Sequence, residues 1–204
     1  MGMLMKNSFL LQLERRRSVY YLGNCVTLPK QYISDLVNRA IKLSPSVFNS
    51  QSTRVVVLFG NHHCKLWALV KHELSKVQTS DALDINLSKI DACFASGFGT
   101  VLFFEDIEVI NQLQQSYPDD SDSMESWSEP ANGMAQLSVW AALAAENIGA
   151  SIQHYNPIID QGVAQEWNIP STWKMIAQLP FGTIEKRPEA KSIISDEERC
   201  IIYE

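Results

Sequence analysis

The sequence of 204 residues contains no run of about 20 apolar residues, so nothing in it is built to cross a membrane as a helix. It also has no surplus of positive charge. Seventeen Lys and Arg stand against 23 Asp and Glu, a formal net charge of −6. That balance argues against a general binder of nucleic acid or anionic membrane. Any basic cluster must be local and sized for a small anion. Cysteine is scarce, at four residues (Cys25, Cys64, Cys93 and Cys200), and no C-x-x-C pair occurs. A disulfide scaffold or a zinc ribbon is therefore not expected, and the thiols read as reduced. Met1 to Lys6 carries no long apolar stretch and no small-residue cleavage site, so a cytoplasmic location is expected. Familiar catalytic signatures are missing as well. There is no G-x-S-x-G, His72-Glu73 lacks the second histidine of a zinc protease, and Gly97-Phe98-Gly99 precedes an apolar run instead of following one. His62-His63-Cys64 is compact, but adjacent ligands rarely reach one metal and no second cluster completes a site, so no metal is expected.

What is present is ordinary globular material: 46% apolar and 20% charged residues. The length suits one domain over residues 1–204. Residues 7–17 read as a helix closed by Arg15-Arg16-Arg17, and Pro29 to Lys42 as a second, with Pro29 in its first turn. Arg54 to Phe59 and Thr100 to Phe104 are short runs rich in β-branched and aromatic residues, the pattern of buried strands. Helices are expected at 62–77, 90–95, 107–115 and 158–166, and strands at Ala150–His154 and Trp173–Leu179. Pro118 to Ser128 is acidic and polar and reads as an exposed loop. Pro130 to Asn147 is the strongest helix, apolar nearly all round its centre, and must be covered on most sides. After Pro180-Phe181-Gly182 the chain turns polar, then ends in Cys200-Ile201-Ile202-Tyr203, a strand-like tail that needs a sheet edge.

Four segments could carry chemistry. Arg16-Arg17-Ser18 puts two guanidinium forks and a hydroxyl at a helix end, which suits a phosphate. Asn49 and Gln51, in the loop from Ser44 to Ser52, can donate and accept together, as the edge of a heterocycle requires. Gln153-His154-Tyr155-Asn156-Pro157 follows an expected strand, a common binding position. Lys186-Arg187 and Lys191 form a second, distant group of cations. Each has an ordinary alternative: a solvated helix end, a plain turn, a structural histidine, an exposed charged linker.

Taken in order, Glu14 to Gly23, Ser44 to Ser52, Trp127 with Gly133-Met134-Ala135-Gln136, Gly149 to Pro157, Leu179 to Gly182, and Lys191 with Glu197-Glu198-Arg199 resemble the nitroreductase family. The likeness is strongest to its short branch of fungal fatty-acid-repression proteins and bacterial relatives. It implies an α+β fold, a mixed sheet flanked by helices, with a C-terminal arm (about 183–204) exchanged in a homodimer. It implies FMN as cofactor, held by Arg16, Arg17, Ser18, Tyr20 and Lys191, and by Asn49 and Gln51 from the partner subunit. His154, Tyr155 and Asn156 would lie beside the reactive flavin face. Many family members have a basic residue where this chain has Tyr20, and Pro-Trp where it has Ser52-Thr53. The implied activity is ping-pong electron transfer from NAD(P)H to nitroaromatics, quinones or similar small acceptors. The flavin carries that chemistry, so no catalytic side chain is assigned. A flavin-binding regulator of redox, stress or lipid signalling, with little turnover, is the alternative.

Overall fold

A computed structural model describes residues 7–78 and 81–204. Met1 to Lys6, whose composition bore on export, lies outside the described residues.

The sheet grows around two strands, β3 (Gly99–Asp106) and β5 (Trp173–Ile184). Every residue of β3 is buried, because both its faces are covered. Val101 and Phe103 point to one side, where α2 (Lys30–Leu43) and α6 (Met124–Ala145) pack. Leu102 and Phe104 point to the other, against α3 (Asn61–Val77) and α7 (Asp160–Trp167). This explains the unbroken apolar run of the sequence: a strand with helices on both faces has no polar side to show. β2 (Thr53–Phe59) pairs antiparallel with β3, and β3 with β5. β1 (Leu22–Gly23) and β4 (Gly149–Ala150) are two-residue strands that pair with the C-terminal end of β5. The named ladders are all antiparallel, and one bridge, Ser18 to Ala150, is parallel, which makes the sheet mixed. The expected α+β architecture is therefore present.

Several boundaries differ from the sequence reading. α5 (Ile107–Ser116) is followed by a short 3-10 helix, Pro118–Ser123, and α6 already starts at Met124, six residues before Pro130. Pro130 is the seventh residue of α6 and the helix runs on through it, so it did not mark the start. Pro29 is the cap of α2, one residue before its first turn. Residues 90–95 form a π-helix, and α4 (Asp81–Lys89), which the sequence did not suggest, precedes it. The strand at 150–154 shrinks to β4 and a single bridge from Gln153 to Gln178. β5 continues through Pro180 to Ile184 instead of stopping at Leu179. Gly182 allows that continuation: a Cβ there would lie 2.1 Å from the Gly23 carbonyl oxygen, so the close passage of β1 requires glycine. Ile201, Ile202 and Tyr203 have no strand partner among the described residues and are largely exposed. No helix among the described residues is long and apolar enough to cross a membrane.

Candidate functional site

α1 (Ser8–Arg15) is capped at its start by the Asn7 side chain and ends at Arg16, whose extended backbone turns the chain toward the sheet. The next residues are fixed by that sheet: Ser18 bridges to Ala150, and the Val19 N–H donates to the Ala150 carbonyl at 2.9 Å. The Arg16-Arg17-Ser18 segment is thus a rigid entry to the core and not a frayed helix end.

Arg16 stacks on Trp140 of α6, its guanidinium carbon 4.3 Å from the ring centroid. Burial, and then the neighbouring Arg17 charge, lower its pKa from the usual arginine value. Its Nε is buried without a hydrogen-bond partner, and so are the Trp140 Nε1 and the Gln12 Oε1. Among the described residues no carboxylate lies within 4 Å of Arg16 or Arg17. A half-buried cation with an orphaned donor, beside a second orphaned donor, is the donor set that a phosphate satisfies. On this observation the residues fit the phosphate end of FMN.

The second group of cations comes to Arg17 and Ser18, the residues next in the chain after Arg16. The Arg17 Nη2 donates to the Glu189 carbonyl at 2.5 Å, across 172 residues of sequence. A cavity of about 260 Å³ is lined by Ser18, Tyr20, Tyr21, Lys186, Arg187 and Glu189. A larger one, about 580 Å³, adjoins it and takes in Arg15, Arg17, Asn147 and Arg187. Lys186 lies over the Tyr21 ring at 5.4 Å. Lys191 is exposed, and two residues of chain place its Cα within ~7 Å of that of Glu189.

Tyr20 leads from this cavity to the strand end. Its ring lies 6.4 Å from that of Phe94, Phe94 is 5.1 Å from Trp67, and Trp67 is 5.8 Å from Tyr155. Burial, helped by the nearby Cys93, pushes the Tyr155 hydroxyl up to about 12, so it stays a neutral donor at physiological pH. His154 is exposed. The backbone of 153–156 is pinned by Gln178, which is fully buried. Its Oε1 accepts from the Tyr155 N–H at 2.7 Å, and its Nε2 donates to the Asn156 Oδ1 at 3.2 Å.

Among the described residues no hydrogen bond or cavity joins Asn49 or Gln51 to Arg16 within one chain. Their loop packs on α6, and Phe48 stacks on Tyr117 with centroids 4.3 Å apart. Phe48, Asn49 and Gln51 all have positive φ, a cost on the order of 1–3 kcal/mol each that only surrounding contacts can hold.

Three residues at the site were invisible in the sequence. Trp140 sat in an apolar helix, and only its N–H, which needs a partner, hinted at a role. Lys89 ends α4, and its Nζ lies 5.4 Å from the Tyr20 ring and 5.8 Å from the Phe94 ring. Gln178 looked like one polar residue in a strand.

His63, one of the compact His-His-Cys group, is committed elsewhere. Its Nδ1 lies 2.9 Å from the Thr100 hydroxyl and its Nε2 3.2 Å from the Ala95 carbonyl, while the Trp67 Nε1 donates to the same hydroxyl at 3.1 Å. One tautomer satisfies all three bonds: Nε2–H donates to Ala95 and Nδ1 accepts from Thr100. Burial lowers the His63 pKa, outweighing the bonds to the Ala95 and Phe94 backbone. Unfolded histidine takes its proton near pH ~6.5, the folded one only at lower pH. The stability His63 contributes is therefore complete above pH ~6.5 and is lost as pH falls below it. Urea unfolding should show on the order of 1 kcal/mol lost for each unit below that point, and a His63→Gln variant should show a flatter profile.

With this geometry in place, similarity to known proteins is extensive. The family model described as Nitroreductase family matches residues 13–183. HBN1 of Saccharomyces cerevisiae, which carries the name nitroreductase, is 32% identical over 194 residues, spanning 93% of this chain and 95% of that one. The solved structure of the nitroreductase CinD from Lactococcus lactis in complex with nicotinic acid superposes with a TM-score of 0.89 at 39% identity, over 96% of this chain and 100% of that one. CinD has also been solved with chloramphenicol and with 4-nitrophenol. A nitroreductase with bound FMN from Desulfitobacterium hafniense shares the fold at 14% identity, with a TM-score of 0.73 over 98% of this chain and 100% of that one. This chain belongs to the nitroreductase family and is an oxidoreductase of that family.

Proposed function

We propose that the chain binds FMN and passes electrons from NAD(P)H to nitroaromatics, quinones or similar small acceptors in a ping-pong order, as a cytoplasmic homodimer. The observation that carries this is the meeting of the 186–191 arm with Arg17 and the Ser18–Tyr20 segment, directly after Arg16 with its orphaned Nε. The family's dependence on FMN and the FMN bound by the D. hafniense relative support it. The ligands named for CinD, flat aromatic rings among them, support an acceptor of that shape.

Bound FMN would supply two-electron chemistry that no side chain here can perform. The protein's part is to hold and orient. Arg16 and Ser18 would take the phosphate, with Arg17 and Lys191 adding charge. Lys89 and Tyr20 would offer a cation and a hydroxyl to the ring edge. Gln178 pins the backbone of 153–156, which would lie beside the ring, and the Tyr155 hydroxyl would remain a donor throughout the working pH range. Asn49 and Gln51 would come from the partner subunit, since no hydrogen bond or cavity among the described residues joins them to Arg16 in their own chain.

The test is direct. Purified protein should be yellow or become so with FMN, and should oxidise NADH or NADPH rapidly when a quinone or nitroarene is present. Protein that stays colourless in excess FMN removes this function. Bound FMN that neither nicotinamide reduces replaces the enzyme with a flavin-binding regulator.

A further inference from the structure

Beneath the loop that carries Asn49 and Gln51 lies a buried polar network that none of the proposed flavin contacts uses. At its centre is Glu105 of β3, a carboxylate only 3% exposed. Its Oε2 accepts from the Asn132 Nδ2 of α6 at 2.9 Å, and that amide also donates to the Phe104 carbonyl at 3.0 Å. The Ser52 hydroxyl faces the same carboxylate and lies 3.3 Å from the Ser50 hydroxyl. The Glu105 Oε1 is buried with no partner. Around it, Arg54 pairs with Asp106 at 3.0 Å, and Lys174, opposite Glu105 in the ladder, pairs with Glu125 of α6 at 3.1 Å. Glu105 is therefore a buried acid tied at once to α6 and to the end of the loop.

The loop needs such ties. Three residues held at positive φ persist only if their surroundings over-determine them. Four anchors do this: the stack of Phe48 on Tyr117, the Gln51 N–H bond to the Ser46 hydroxyl (2.9 Å), the Arg54 Nη1 bond to the Gln51 carbonyl (2.6 Å), and Ser52 held between the Asp106 N–H and Glu105. Glu105 is the carboxylate that faces Ser52 directly; Asp106 bears on the loop through its backbone N–H to the Ser52 carbonyl and through its pairing with Arg54, and it is the same in both proteins compared below.

We infer that Glu105 is a positioning residue whose ionised carboxylate holds the Ser46–Ser52 loop in its strained form, so that protonating it loosens the presentation of Asn49 and Gln51. Burial raises the Glu105 pKa and the Asp106 charge adds to this, against the opposing pull of Ser52, Asn132 and Arg54. Protonated Glu105 gains a hydrogen that its buried Oε1 has nothing to give to, and it loses strength as an acceptor for both Ser52 and Asn132. The step is a proton from solvent and nothing else. The consequence for flavin binding rests on the FMN reading above; the coupling to the loop does not.

The experiment separates these two. Hydrogen exchange of the peptide covering residues 46–52 is followed without FMN, between pH 5 and 8, in the wild type and in Glu105→Gln, and the two are compared at equal pH so that intrinsic exchange cancels. Glu105→Gln keeps the shape and fixes the network in its uncharged form. The loop should exchange about tenfold faster in the variant at pH 8, and the gap should narrow as the pH falls. FMN affinity from flavin fluorescence should follow the same pattern, the variant weaker by about fivefold at pH 8 with a smaller gap at lower pH. Ser52→Ala, which cuts the link and leaves Glu105 in place, should exchange fast at every pH and serves if Glu105→Gln does not fold. Equal loop exchange in wild type and variant across the range overturns the inference. A wild type that binds no FMN removes the function proposed above and leaves the exchange result to decide this one.

Discussion

Arg16→Ala should weaken FMN binding by about 10- to 150-fold, the equivalent of losing one charge-assisted bond worth about 1.5–3 kcal/mol. The expectation is large because no neighbour can take over. Arg17 is already committed to the Glu189 carbonyl, and Lys191 is exposed on the arm. Arg16 is also pre-set: its stack on Trp140 fixes the guanidinium plane and leaves Nε free, so little rotamer freedom remains to be lost on binding. The fold should survive, because the substitution removes a half-buried cation that Arg17 repels. Arg16→Lys should fall between the two, keeping the charge and losing the fork and the stack. Arg15→Ala is the control, since Arg15 ends α1, is exposed and borders only the outer cavity. Isothermal titration with FMN, and again with riboflavin, separates the phosphate contribution. Wild-type FMN affinity in Arg16→Ala, or an equal loss for riboflavin, would put the phosphate elsewhere.

The parts of this architecture that were legible in sequence are those governed by short-range pattern. β3 could be seen because a strand covered on both faces is apolar along most of its length, and Val101 to Phe104 is. α2 and α3 showed the helical period of their buried positions, Ile33 and Val37 in one and Leu66, Val70 and Leu74 in the other. The start of α6 was hidden by acidic composition and by Pro130, although the helix runs through that proline. The end of β5 was hidden for the reverse reason: Pro180 and Gly182 look like a turn, yet here they let two short strands pass close to its edge. At the site, Arg16, Arg17 and Ser18 stood out because charge and hydroxyl cluster within three residues. Trp140, Lys89, Gln178 and Glu105 did not, because the meaning of each lies in a neighbour distant in the chain: Arg16 for Trp140, Tyr20 for Lys89, Tyr155 for Gln178 and Asn132 for Glu105. Only the resemblance to a family joined the Arg16 segment to Lys191. In the structure Arg17 and Glu189 are the contact that brings those two segments side by side.

For the homodimer proposed above, removing residues 200–204 should give a monomer at micromolar concentration and reduce FMN affinity with it. Ile201, Ile202 and Tyr203 are 75%, 76% and 92% exposed on the single chain, an arrangement that water penalises. Burying two isoleucines and a tyrosine is worth roughly 1.5–3 kcal/mol each, so losing them should raise the dimer Kd by about a thousandfold or more. A matching surface exists: Trp127, Met134 and Leu137 leave an apolar stripe along the outside of α6, and Phe9, Leu10 and Leu11 leave another on α1. The polar arm from Glu185 to Arg199 has the length to carry the tail away from its own domain. Loss of flavin should accompany loss of the dimer because the proposed site takes Asn49 and Gln51 from the partner subunit, so a monomer would offer half a site. Sedimentation velocity gives the first readout and flavin fluorescence the second. A truncated chain that stays dimeric, or a monomer that holds FMN as tightly as the full chain, would show that the tail has another place to go and that each chain completes its own site.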